Sequence, residues 1–386
     1  MKILFLEWKS LCNEDIIPEF ERMGHTVVRV PYDERNPKAE QNVQMDKELG
    51  KGGIDFLFSF NYFPDVSEYC MEKGIKYVSW VYDSPYINIY SYTVINECNY
   101  IFIFDYAVYE ELKSGNINTV FYLPMAVNEK RLSKIQNNEI MRRKHSCDVA
   151  LVGSLYTEEK HNLYKKFEEI DKFSKGYLDG IIQAQLQVYG YNFIQELLTK
   201  DIVDAMQKVY PTNPNALTAT TPEYIYSEYV LNRRVTALER QKVLEMLSKD
   251  NQVHVYTHDK HAKIGKARNL GPVDYYDEMP YVFKNAKINL NITLRSIKTG
   301  IPLRAMDIMG CGGFLMTNFQ QEFLEYFEDG VDYAFYSDMD ELKEKVDYYI
   351  KNEDIRKKVA LAGCKKVREE HTFERRIESM LSVVYG

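Results

Sequence analysis

Short apolar runs, separated by amphipathic or polar segments, set the rhythm of this chain. Up to about residue 127 the runs are "KILFL", "TVVRV", "DFLFSF", "KYVSWVY", "YIFIF" and "TVFYLPM". They are rich in β-branched and aromatic residues and apolar on both faces, which predicts a parallel sheet wrapped by helices. The intervening "NEDIIPEFERMG" predicts a helix closed by Gly24. A polar, basic stretch, "NEKRLSKIQNNEIMRRKHS", precedes "CDVALVGSLY", which reads as a new buried strand entering a turn, so a domain boundary is expected near residue 145. Beyond it, "VHVYT", "KINLNIT" and "GFLMTN" predict strands, and "DMDELKEKVDYYIKN" and "EDIRKKVALAGCKKVREEH" predict amphipathic helices. Residues 158–248 carry a helical period interrupted by the turn-rich "YPTNPNALTATTPE", which predicts a helical insertion. The expected architecture is α/β: a parallel-sheet domain over 1–145, a second over 146–365, and a closing segment, 366–386, that packs back on the first. Ligands of such sheets bind outside the carboxyl ends of the strands, so a cleft between the domains is the expected site.

Composition narrows the partners. With 386 residues the chain can bury two cores. Its net charge of -8, with no long basic block, argues against a nucleic-acid partner. The six cysteines lie far apart with no C-x-x-C pair, which suits reduced thiols better than a disulfide framework or a zinc site. "MKILFLEWKS" is broken by Glu7 and reads as a first strand rather than a signal peptide. No apolar run reaches the roughly 18 residues that span a bilayer, so no integral membrane segment is expected. The scattered cysteines point to a reducing compartment, and a cytoplasmic location is expected.

The chemistry concentrates in "TGIPLRAMDIMGCGGFLMTN", residues 299–318. Here "KINLNIT" is a strand, "LRSIKTG" a loop, "IPLRAMDIM" a helix and "GCGG" a tight exit. Leu303, Met306 and Met309 are expected to cover the sheet, while Arg304 and Asp307, at i and i+3, share another face. A helix amino terminus with Arg295, Lys298 and Arg304 nearby suits a phosphate, and a carboxylate one turn further in suits ribose hydroxyls. The competing reading is a plain salt bridge between Arg304 and Asp307. Asp83, at the end of "KYVSWVY" and before Ser84-Pro85, is either a functional residue on a strand-end loop or a turn cap. Taken alone, Tyr275, Tyr276 and Asp277 read as a surface turn.

"PLRAMDIMGCGGFLMTN" resembles the nucleotide-grip segment of the GT-B glycosyltransferases, and more closely that of the CgeB-like, spore-maturation branch related to group 1. "WVYDSP" is similar to that branch's Asp-x-Pro segment, and "HTFERR" to its closing helix. The resemblance implies two Rossmann-like domains, the first for the acceptor and the second for a nucleotide sugar. By it, Asp307 binds the donor's ribose, Arg304 lies near the diphosphate or sugar, and "VGSLY", Gly153 to Tyr156, is the first strand-turn of the donor domain. Group 1 members carry an earlier acid eight positions before the ribose acid; Thr299 stands there in this chain, which leaves the stereochemical outcome open.

Together these readings predict a glycosyltransferase of the hexosyltransferase type. It would move a sugar from a nucleoside diphosphate, UDP by family habit, to a hydroxyl of a glycan, protein or spore-surface acceptor. Asp83 and Arg304 are the expected catalytic residues. Asp307, Arg295, Lys298, Gly153, Ser154, His258, Tyr276 and Gly300 are the expected donor contacts. No metal or cofactor is expected: Asp338-x-Asp340 sits where a helix cap belongs, and His254, on a strand, does not share a helical face with His258 and His261. Cys311 lacks a His-Asp partner pattern and reads as a core residue. The alternatives are a non-catalytic binding or surface protein of the same fold and a sugar-nucleotide epimerase. A P-loop or G-x-G-x-x-G fingerprint is missing, which disfavours an NTPase or dehydrogenase.

Overall fold

The computed structural model describes residues 1–212 and 218–386; residues 213–217, inside the turn-rich "YPTNPNALTATTPE", lie outside them. Among the described residues the strands form two six-stranded parallel sheets, and the chain divides into two compact units. Among the described residues, Met1–Asn128, 218–219 and Glu370–Gly386 belong to the first unit, and 129–212 and Thr220–Glu369 to the second.

The first sheet contains β1 (Lys2–Glu7), β2 (Thr26–Pro31), β3 (Phe56–Phe60), β4 (Lys76–Val81), β5 (Asn99–Ile103) and β6 (Val120–Tyr122), in the order β2-β1-β3-β4-β5-β6. Every residue of β3 is buried, as in a strand covered on both faces, and its one polar side chain, Ser59, donates to the Asn61 carbonyl at 2.6 Å. The helix Phe373–Tyr385 completes this unit. Arg376 reaches back to the carbonyl oxygens of Pro124 at 2.9 Å and Met125 at 3.3 Å, and Phe373 packs edge-on against Trp80.

The second sheet contains β7 (Cys147–Val152), β8 (Val253–Tyr256), β9 (Arg268–Asn269), β10 (Ala286–Asn291), β11 (Leu315–Asn318) and β12 (Ala334–Tyr336), ordered β12-β11-β10-β7-β8-β9. The edge strands β9, two polar residues, and β12, three residues, lie outside the runs that predict strands. Residues between β7 and β8 build a helical layer with its own core, in which Phe167, Leu178, Ile182, Met206, Tyr226 and Val235 are buried together. The helix Asn232–Leu247 leaves this layer and lays Val243, Leu244 and Leu247 on the sheet. It is entered through a π-helical turn, Tyr226–Leu231, an irregularity often found where a helix serves a site.

Each sheet reverses direction once. The first does so between β1 and β3, and the second between β7 and β10. At such a reversal the connecting loops diverge to opposite faces and leave a crevice beyond the strand ends.

Candidate functional site

In the second unit β7 and β10 are paired, with Ile288 beside Val149. β7 runs into Gly153, whose φ of 154° favours glycine, and then Ser154. Ser154 Oγ donates to Glu158 at 2.7 Å, and Leu155 N and Thr257 Oγ1 donate to the same carboxylate. Partial burial pushes Glu158 up, but these bonds outweigh it and hold the group below its ordinary range. Arg240, from Asn232–Leu247, donates to the carbonyls of both Ser154 and Ile292 and lies 4.9 Å from the centre of the Tyr156 ring. One guanidinium thus ties together the two strand ends that flank the reversal.

Beyond β10 the loop leads to the helix Leu303–Gly310, with Pro302 at its cap. Met306 and Met309 are buried as their spacing predicts, and Asp307 is only 4% exposed. The Asp307 carboxylate accepts from Tyr275 OH at 3.0 Å, while Arg304 Nη1 lies 3.8 Å from its other oxygen. The tyrosine bond is the shorter contact, and the arginine is too far for a hydrogen bond. Arg304 also approaches the Met279 sulfur and lies 5.8 Å from the Phe283 ring centre. Arg131 stands 4.9 Å from the ring centre of Tyr276, itself edge-on to Tyr275, so aromatic and cationic groups gather around the acid. At the helix exit no side chain is tolerated at Gly313, where an added Cβ would lie 2.7 Å from both Asn289 Nδ2 and the Phe283 carbonyl. The neighbouring Cys311 thiol is pushed up to about 12 by burial and by Asp307, which leaves it a protonated core group.

The other expected donor contacts are distributed unevenly. Arg295 points inside the unit: it pairs with Glu239 at 2.9 Å, both nearly sealed from solvent, and donates to the Val188 carbonyl at 3.0 Å. Its place at a phosphate is thereby taken by a buried carboxylate. Lys298 lies close enough to Glu228, buried in the π turn, to oppose the rise that desolvation imposes on that carboxyl. Thr299 Oγ1 donates to Glu322 at 2.7 Å, and the Gly300 carbonyl accepts from Gln320 at 3.2 Å, so the loop before the helix is braced from beneath. His258 is exposed just past β8, whereas His254 is buried within it. Asp338 caps Met339–Lys351 by accepting from Glu341 N at 2.8 Å. Arg131, Arg240, Glu228 and Glu322 were not singled out by sequence reasoning, since each is brought in from a distant segment.

In the first unit a cavity of about 330 Å³ lies at the reversal between β1 and β3. Its walls are the residues that follow successive strands: Trp8 and Lys9 after β1, Tyr32 to Arg35 after β2, Asn61 and Phe63 after β3, Asp83 and Tyr86 after β4. Asn61 is buried and holds a positive φ of 58°, a conformation asparagine tolerates better than most residues. There its Oδ1 accepts from the backbone N–H groups of Tyr82 and Asp83 at 3.1 and 3.3 Å, and its Nδ2 donates to Asp83 Oδ2 at 2.7 Å. The Asp83 carboxylate is open to water yet crowded by protein; desolvation raises it above the ordinary carboxylate range, and the Asn61 bond offsets part of the rise.

Residues 233–382 match the family model described as Glycosyl transferase-like. No curated protein matches the sequence. Among solved structures, sucrose-phosphate synthase from Thermosynechococcus elongatus is similar at 8% identity and a TM-score of 0.57, covering 100% of this chain and 98% of its own. Anabaena HepE in complex with UDP is similar at 10% identity and a TM-score of 0.53, covering 99% of this chain and 100% of its own. A glycosyltransferase from Rickettsia africae is similar at 10% identity and 0.53, covering 100% of this chain and 99% of its own. The fold is that of the GT-B glycosyltransferases.

Proposed function

We propose that the protein is a glycosyltransferase that moves a hexose or N-acetylhexosamine from a UDP-linked donor to an acceptor hydroxyl, without a metal ion and in the cytoplasm. The observation that carries this reading is Asp307, buried and held by Tyr275 on the helix that follows β10 at the sheet reversal. That helix lies within the segment matching the Glycosyl transferase-like family, and UDP is the ligand named for the HepE structure.

In the proposed reaction the acceptor oxygen bonds to the anomeric carbon as the bond from that carbon to the β-phosphate oxygen breaks. Charge then develops on the departing diphosphate, where preorganised donors and cations are worth most. The amino terminus of Leu303–Gly310, Lys298 and Arg304 supply them, and Asp307 accepts from the ribose. Asp83 takes the acceptor's proton. Desolvation raises the Asp83 pKa above the ordinary carboxylate range, which makes it a stronger base than a fully hydrated carboxylate.

Calorimetric titration of the wild type and Asp307→Ala with UDP, UDP-glucose, GDP and ADP in a chelator tests the reading. UDP should bind the wild type, and binding should weaken by about 1 to 3 kcal/mol in the variant, the usual cost of leaving a polar partner unpaired. A folded wild type that binds none of these nucleotides would refute it.

A further inference from the structure

We infer that the acceptor is a saccharide and that the cavity beside Asp83 holds its terminal pyranose ring, as a neutral or amino sugar rather than an anionic one. This rests on reading the first unit as the acceptor side. The size of the cavity is the first reason. At about 330 Å³ it lies at the small end of the range for ligand pockets, roughly 300–1,000 Å³, which suits a compact ring.

The walls are the second reason. A pyranose presents an apolar C–H face and an equatorial rim of hydroxyls, so it needs an aromatic plate beside planar groups that can bond two neighbouring oxygens. Trp8 is a fixed plate: its Nε1 donates to the Phe60 carbonyl at 2.7 Å, and its ring stacks on Tyr82 with an interplanar angle of 8°. Tyr86 is anchored in turn by its OH, which donates to the Tyr62 carbonyl at 2.7 Å. Rigid aromatic surface costs little entropy to engage. Opposite chemistry comes from Asp33 and Arg35, joined through two bonds that hold the Asp33 carboxylate well below its ordinary range. Asp83 stands on the same lining, with Asn61 fixing its carboxylate.

Charge is the third reason. Lys9 and Arg35 face Asp33, Glu34 and Asp83, two cations against three carboxylates, so the lining carries a net charge of -1. Such a wall repels a phosphate or uronate and accepts a neutral ring or an ammonium substituent.

Saturation-transfer NMR and calorimetry with methyl glycosides of glucose, galactose, N-acetylglucosamine and glucuronic acid, and with a Ser/Thr-rich peptide, test this in the presence and absence of UDP. At least one neutral glycoside should bind, and its affinity should fall by up to about tenfold in Trp8→Phe, within the range of an aromatic contact. Arg35→Ala, at a solvent-exposed side chain, should weaken the same glycoside without altering the fold or UDP binding. Preference for the peptide or the glucuronide, or no binding of any glycoside by protein that still binds UDP, would overturn the inference and leave the donor reading standing. Glycoside binding by protein that takes no UDP would support the inference and sink the donor reading.

Discussion

At the scale of single residues, Asn61 shows how a backbone conformation is turned into chemistry. Its positive φ places the amide where it serves the Tyr82 and Asp83 backbone and the Asp83 carboxylate together. The bond donated by Nδ2 favours the charged form of Asp83 against desolvation. Asn61→Gly keeps the backbone accessible and removes the bond. With the donor gone, the Asp83 pKa should rise further, and a base works only when deprotonated. The acidic limb of the kcat/KM profile should therefore move to higher pH in Asn61→Gly. An unmoved limb, with UDP binding intact, would remove Asn61 as the positioning residue of Asp83.

At the scale of elements, the loop between β10 and Leu303–Gly310 is held by packing below it. Arg295 and Glu239 join that loop to the helix Asn232–Leu247, and Tyr336 OH donates to the same carboxylate at 3.3 Å. Removing one partner of a buried pair strands the other charge in a low-dielectric interior. Arg295→Ala should therefore cost about 3–5 kcal/mol in urea unfolding, a loss that a phosphate-contacting arginine at the surface would not show. If stability is unchanged while UDP binding is lost, Arg295 serves the ligand instead. Arg240 plays a comparable structural part across β7 and β10, and its second partner, Ile292, lies 52 residues away in sequence.

At the scale of the whole molecule, residues from the two ends of the chain build one unit. Val127 bridges to Thr372, Lys76 donates to the Val384 carbonyl at 2.6 Å, and Phe373 lies on Trp80. Deleting 370–386 should expose that face of the first sheet and loosen it while the second unit keeps its core. Hydrogen exchange would then show faster amides in β3 to β5 but unchanged protection in β7 and β10. Equal loss in both sheets would mean that the two units unfold together.

Much of this was legible in the sequence because it is local. Short runs rich in β-branched and aromatic residues mark all six strands of the first sheet, the half-exposed edge strand β2 included, and β7, β8, β10 and β11 of the second, whereas the two polar residues of β9 carry no such run and β12 lies outside these runs. The helix at Asp307, its glycine exit and the strand-end position of Asp83 are equally local, set by a few neighbouring residues. Only the tertiary structure decided which strand ends adjoin, and with that the partners: Asn61 for Asp83, Tyr275 for Asp307, Glu239 for Arg295. These bonds span 22, 32 and 56 residues. Hydropathy periodicity records which face of an element is buried, and the strand order that sets such long-range neighbours emerges only when the sheets assemble.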